Sequence, residues 1–125
     1  MSGERLPAAL EATALIRLAE ARGGFGMVLH RGEPDSGTIL VVILDNQGFG
    51  QYSAQAFERL PKADGTRGWA TAKVQDAQNK AEFESYLTRR IAQDRDLWVI
   101  ELTIADGEQF ILNLDGTENK PGLMG

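Results

Sequence analysis

The chain has no cysteine. That excludes a disulfide framework, a thiolate nucleophile and a zinc–thiolate site. Its single histidine, His30, cannot build a histidine metal cluster. None of Ser2, Ser36, Ser53 or Ser85 sits in a Gly-x-Ser-x-Gly context, so a nucleophile elbow is missing too. Long apolar runs are absent. The longest, Ile39 to Leu44, falls far short of the roughly 20 residues that span a bilayer. The first residues, Met1 to Pro7, carry no apolar signal region, so a cytoplasmic address and no membrane contact are expected. Basic residues are scarce towards the C-terminus. Between Asp94 and Glu118 seven acids (Asp94, Asp96, Glu101, Asp106, Glu108, Asp115, Glu118) face one base, Arg95. With a net charge of −5, the phosphate-neutralising footprint of a nucleic-acid binder is lacking.

What is present is ordinary globular material. A length of 125 residues, 42% hydrophobic and 25% charged, suits one domain with one core. The expected folded core covers about residues 7–114, with 115–125 as a flexible tail. Pro7 to Arg22 reads as a helix, with Pro7 in the first turn and Gly23-Gly24 as its stop. Leu10, Ala14, Leu18 and Ala21 repeat at helical spacing, widened by Leu15, and are read as the inner stripe.

Strands are expected over Phe25–Arg31, Thr38–Asp45, Phe49–Ser53 and Trp69–Val74. In the second of these both faces are apolar, which marks a central strand covered on two sides. Glu58 to Gly68 reads as a polar excursion. Asn79, with Glu82 three residues on, opens a helix to Gln93 whose Phe83, Tyr86, Leu87 and Ile91 share a face. Trp98, Ile100, Leu102 and Ile104 then form the inner face of a strand. A turn at Asp106-Gly107 and a sixth strand over Gln109–Leu114 pairing back on it complete the chain. The expected class is α+β: a mainly antiparallel curved sheet of about six strands in the order α-β-β-β-β-α-β-β, packed with two helices. The alternative is a small Sm-like or SH3-like barrel with an N-terminal helix.

The pattern Gly23-Gly24-Phe25, Arg31-Gly32, Gly37-Thr38-Ile39-Leu40-Val41, Trp69, Tyr86-Leu87 and Asp94-Arg95-Asp96-Leu97-Trp98-Val99 resembles a family of small bacterial proteins classed as a domain of unknown function. The family pattern carries proline where Arg95 stands. The resemblance implies a cytoplasmic bacterial protein and brings no catalytic residues.

Candidate chemistry is sparse. Gly23-Gly24-Phe25-Gly26 follows a helix instead of preceding one, which suits helix termination and not a phosphate loop. Glu33 and Asp35 offer too few oxygens for a calcium loop. Asp94 and Asp96, with Arg89, are the one carboxylate set an enzyme could use. Their plainer role is structural, at a helix-to-strand junction with Trp98. Arg31, Arg67, Arg89 and Arg90, with Trp69, would form an anion- or base-binding surface if they converged. No metal and no cofactor are expected. The functional expectation is a non-enzymatic binding module whose partner is another protein or itself, through an edge-strand homodimer. A nucleic-acid-binding Sm-like module and an Asp94/Asp96 enzyme are the alternatives.

Overall fold

In the computed structural model, which describes residues 6–119, the order is α1 (Ala8–Ala21), β1 (Phe25–His30), β2 (Ile39–Gly48), β3 (Gln51–Pro61), β4 (Arg67–Val74), α2 (Lys80–Gln93), β5 (Trp98–Thr103) and α3 (Gly107–Asn119). The five strands form one open sheet in the order β1-β5-β2-β3-β4. Three pairings are antiparallel, and β2–β5 is parallel. The class is α+β as expected. The sheet does not close into a barrel.

β2 is central because its six apolar residues leave neither face fit for water. Ile39, Val41 and Ile43 enter one core, with Trp98, Ile100, Leu102 and Ile104 of the β5 segment, Ala12, Leu15 and Ala19 of α1, and Phe110 and Ile111 of α3. Leu40 and Val42 enter the other, with Leu97, Val99, Ala54, Ala56 and Phe83 and Leu87 of α2. α1 and α3 therefore cover one face, and α2 covers the opposite one.

Several expectations are corrected. Residues 109–114 are not a sixth strand but part of α3. β5 already has β1 on one side and β2 on the other, so no edge is left to pair with. The helix instead covers the α1 side of the sheet with Phe110 and Ile111. It opens at Asp106, whose φ is +55° and whose carbonyl accepts the Phe110 N–H at 3.0 Å. Of the residues 115–125 expected as a tail, 115–119 belong to this helix and 120–125 lie outside the described residues.

The excursion over 58–68 is mostly strand, with β3 reaching Pro61 and β4 beginning at Arg67. β1 and β2, though consecutive in the chain, are not neighbours in the sheet, because β5 lies between them. In α1 the stripe Leu10–Ala14–Leu18 is not the inner one. Ala8, Glu11, Ala12, Leu15 and Ala19 are buried, while Leu10 and Leu18 are exposed. Alanines let the helix approach the sheet closely, and Glu11 turns inward because Arg59 of β3 meets it. In β4 a bulge between Thr71 and Lys73 interrupts the alternation of side chains between the two faces. Lys73 thus reaches Glu82 and the Tyr86 ring of α2, although Trp69 packs in the α1-side core.

Candidate functional site

Part of the family pattern, Gly32, Gly37 and Asp94 to Trp98, meets at one place, where α2 hands over to β5. The Asp94 carboxylate accepts the Asp96 N–H at 3.0 Å, and the Asp94 carbonyl accepts the Leu97 N–H at 3.1 Å. Both bonds turn the chain out of the helix, a standard use of aspartate at such ends. The Asp96 carbonyl accepts the Glu33 N–H at 3.0 Å. The Trp98 indole N–H donates to the Glu33 carbonyl at 2.8 Å, and Trp98 is only 2% exposed.

Gly32 and Gly37 press against the Asp96 carbonyl so closely that a Cβ on either would collide with it. The 32–37 loop is braced from within. Glu33 Oε1 accepts the Ser36 N–H at 2.6 Å, the Ser36 hydroxyl at 3.0 Å and the Asp35 N–H at 2.9 Å. The Ser36 bonds hold this carboxyl below the usual range. The loop also serves α1: the carbonyls of Asp35 and Pro34 accept the N–H groups of Ala8 and Ala9 at 3.1 and 2.8 Å. These are two of the orphan donors at a helix start. His30 lies 2.9 Å from the Leu97 carbonyl through Nδ1, which must carry the hydrogen because a carbonyl only accepts. These bonds leave Asp94 and Asp96 holding a loop, a helix end and a strand start.

The arginines are spread over the molecule. The Arg31 guanidinium lies 5.3 Å from the centre of the Trp98 ring, on the α1 side of the sheet. Arg90 sits on the opposite side. It donates to Glu58 at 2.5 Å and to the Tyr86 hydroxyl at 3.0 Å. Arg67 is exposed at the start of β4, the edge strand farthest from β1, and Arg89 is exposed on α2. Trp69 is buried beneath a residue that the sequence pattern does not single out: Arg59 stacks on it at 4.4 Å and also pairs with Glu11.

Among the described residues no three Asp, Glu or His side chains are grouped to hold a metal ion. A hollow of about 200 Å³ at the N-terminus of α3 is lined by Ile43, Asp45, Ser53, Gln55, Asp106, Gly107, Glu108 and Gln109.

Two surface features remain. The first is the free edge at β1. Phe25 is 58% exposed, and Met27, Val28 and Leu29 are also exposed. No charged residue or proline interrupts this strand. The other edge, β4, carries Arg67, Lys73 and the bulge. Beside the β1 edge, Glu101 stands opposite Met27. Burial, and then the nearby Glu84 charge, raise its carboxyl above the ordinary value. The second feature is Phe49, which lies in the β2–β3 turn instead of opening a strand and is 103% exposed. The signal legible in the sequence is a phenylalanine set between two glycines, Gly48 and Gly50.

The family model described as "Protein of unknown function (DUF1491)" matches residues 6–112. Comparison with curated proteins gives no match. Among solved structures, the crystal structure of a DUF1491 family protein from Caulobacter crescentus CB15 is 29% identical, with a TM-score of 0.69, covering 82% of this chain and 92% of that one. An NMR structure of a DUF1491 family protein from the same organism gives 29% identity and a TM-score of 0.69, covering 87% and 94%. The solution structure of protein Atu0922 from A. tumefaciens is 25% identical with a TM-score of 0.65, covering 82% and 89%. No described helix is long and apolar enough to cross a membrane.

Proposed function

Since this chain belongs to the DUF1491 family of proteins of unknown function, and since its Gly32, Gly37 and Asp94 to Trp98 form a braced structural junction, we propose that it is a protein-interaction module that pairs with a second copy of itself through β1. The carrying observation is the contrast between the two sheet edges. An edge strand presents unpaired N–H and C=O groups, and proteins guard such edges with lysine, proline or bulges. β4 carries a base near each end, Arg67 and Lys73, and a bulge between Thr71 and Lys73. β1 has one bulge, at Leu29, and leaves Phe25 to Val28 as an apolar, uncharged ladder.

The charges flanking β1 favour an antiparallel copy over a parallel one. Before it stand two bases and one acid, Arg17, Arg22 and Glu20; after it stand one base and two acids, Arg31, Glu33 and Asp35. A two-fold axis through the strand brings the net positive flank of each copy to the net negative flank of the other. The sheets would then join into one of ten strands. Phe25 and Met27, which no helix covers, would pack across the axis.

The test is Met27→Lys, followed by sedimentation velocity across a concentration series. Lysine at this position faces Glu101 in the same copy, which favours the monomer fold. It also sets two lysines near the two-fold axis. The parent protein should dimerise as concentration rises, and the variant should stay monomeric while fully folded. A parent that is monomeric at about 1 mM, well above the range of weak specific complexes, refutes the reading.

A further inference from the structure

The β2–β3 hairpin is longer than the sheet that supports it. The β2–β5 pairing stops at Leu44–Thr103, and the β3–β4 pairing stops at Gln55–Val74. Beyond these pairs the two strands continue alone through Asp45–Ser53, Asn46–Tyr52 and Gly48–Gln51. Four residues of strand at about 3.4 Å each make an arm roughly 14 Å long. Its own side chains lace it: Gln47 Nε2 donates to Asp45 at 3.1 Å and to Ser53 at 3.3 Å, and Asn46 accepts the Gly48 N–H at 2.8 Å.

At the tip three successive residues take positive φ: Gly48 at +92°, Phe49 at +53° and Gly50 at +76°. Glycine does this freely, but a bulky residue there is an outlier. The phenylalanine gains nothing in return within this chain, since its ring is wholly in solvent. A strained, fully exposed aromatic on a projecting arm is the form of an anchor that is buried only in a complex.

We propose that Phe49 docks this arm into an apolar cleft, rimmed by basic side chains, on a partner protein. The charge around the arm identifies the rim. Asp45 lies on the arm, and Asp106 and Glu108 line the same hollow at its base. Among the described residues Lys80 is the base that bonds to the arm, through the Tyr52 carbonyl at 3.5 Å. Carboxylates so placed favour a cationic protein surface and oppose an anionic membrane or a nucleic acid. Docking through Phe49 is independent of β1 pairing, and the Met27→Lys protein can serve as its background.

The test titrates a Phe49→Trp form of the full chain with a synthetic amphipathic peptide of leucine and lysine. A matched leucine–glutamate peptide and vesicles of phosphatidylcholine, with and without phosphatidylglycerol, are run in parallel. The expected result is a saturable blue shift in the emission of the introduced indole with the lysine peptide alone, and no such shift in the parent protein. Affinity for the labelled peptide should fall at least about tenfold in Phe49→Ser, the size of effect an aromatic anchor gives. Equal binding by Phe49→Ser, equal binding of the glutamate peptide, a shift with vesicles only, or no shift at all overturns the proposal.

Discussion

Replacing Trp98 tests the junction most directly, because three separate contributions meet in this side chain. It is buried in the α1-side core beside Ile100, Leu102 and Val41. Truncating a buried tryptophan to alanine costs about 3–5 kcal/mol through lost burial and the cavity left behind. The indole N–H is the donor to the Glu33 carbonyl, and Trp98→Phe removes it while keeping most of the ring. A lost hydrogen bond of this kind costs about 0.5–1.5 kcal/mol, with more if the carbonyl finds no water. The Arg31 stack adds about 0.5–1 kcal/mol at a partly exposed site.

The expected order of stability is therefore parent, then Trp98→Phe lower by about 1–2 kcal/mol, then Trp98→Ala lower by about 3–5. Urea unfolding followed by circular dichroism measures both through the midpoint, with an unchanged slope showing that two-state behaviour holds. Against a usual stability of about 5–15 kcal/mol, Trp98→Ala would remain folded but clearly weakened. A Trp98→Ala protein within about 1 kcal/mol of the parent refutes the central place given to this junction. Trp98→Phe equal to the parent would refute the role of the Glu33 bond alone.

Other perturbations probe separate features. Gly32→Ala places a methyl group into the Asp96 carbonyl and should cost about 1–3 kcal/mol, read from the same urea midpoint. Glu101→Gln should raise the thermal midpoint at pH 7. The raised folded-state pKa of Glu101 means that its stabilising contribution is present below the ordinary carboxylate range and is lost as pH rises through the folded value, so the gain from glutamine should vanish near pH 4. A midpoint unchanged at both pH values would contradict this assignment. Phe49→Asn should stabilise the monomer by about 1 kcal/mol, because asparagine accepts the left-handed conformation that phenylalanine resists. A lower melting temperature for this variant would show that Phe49 is supported within the chain.

The sequence by itself determined the elements whose own pattern leaves one solution. Six consecutive aliphatic residues made β2 central, the Phe83–Tyr86–Leu87–Ile91 stripe laid α2 on the sheet, and Gly23, at φ +85°, closed α1 where the chain turns into β1. The alternation of Trp98, Ile100 and Leu102 placed one face of β5 in the core. Tertiary structure decided whatever depends on a partner from elsewhere in the chain. Phe110-Ile111-Leu112-Asn113-Leu114 fits both a period of two and a helical stripe. It became helix because β1 and β2 occupy both edges of β5.

Glu58 and Arg59 read as loop residues, yet they are strand residues because each finds an opposite charge on a helix, Arg90 on one face and Glu11 on the other. Burying such charges requires those partners. The same holds for function. The motif residues of the 32–37 loop and of Asp94 to Trp98 are far apart in the sequence, and only folding shows that they brace one another. It also leaves β1 and Phe49 facing outward, since exposure is a property of what the remaining chain fails to cover.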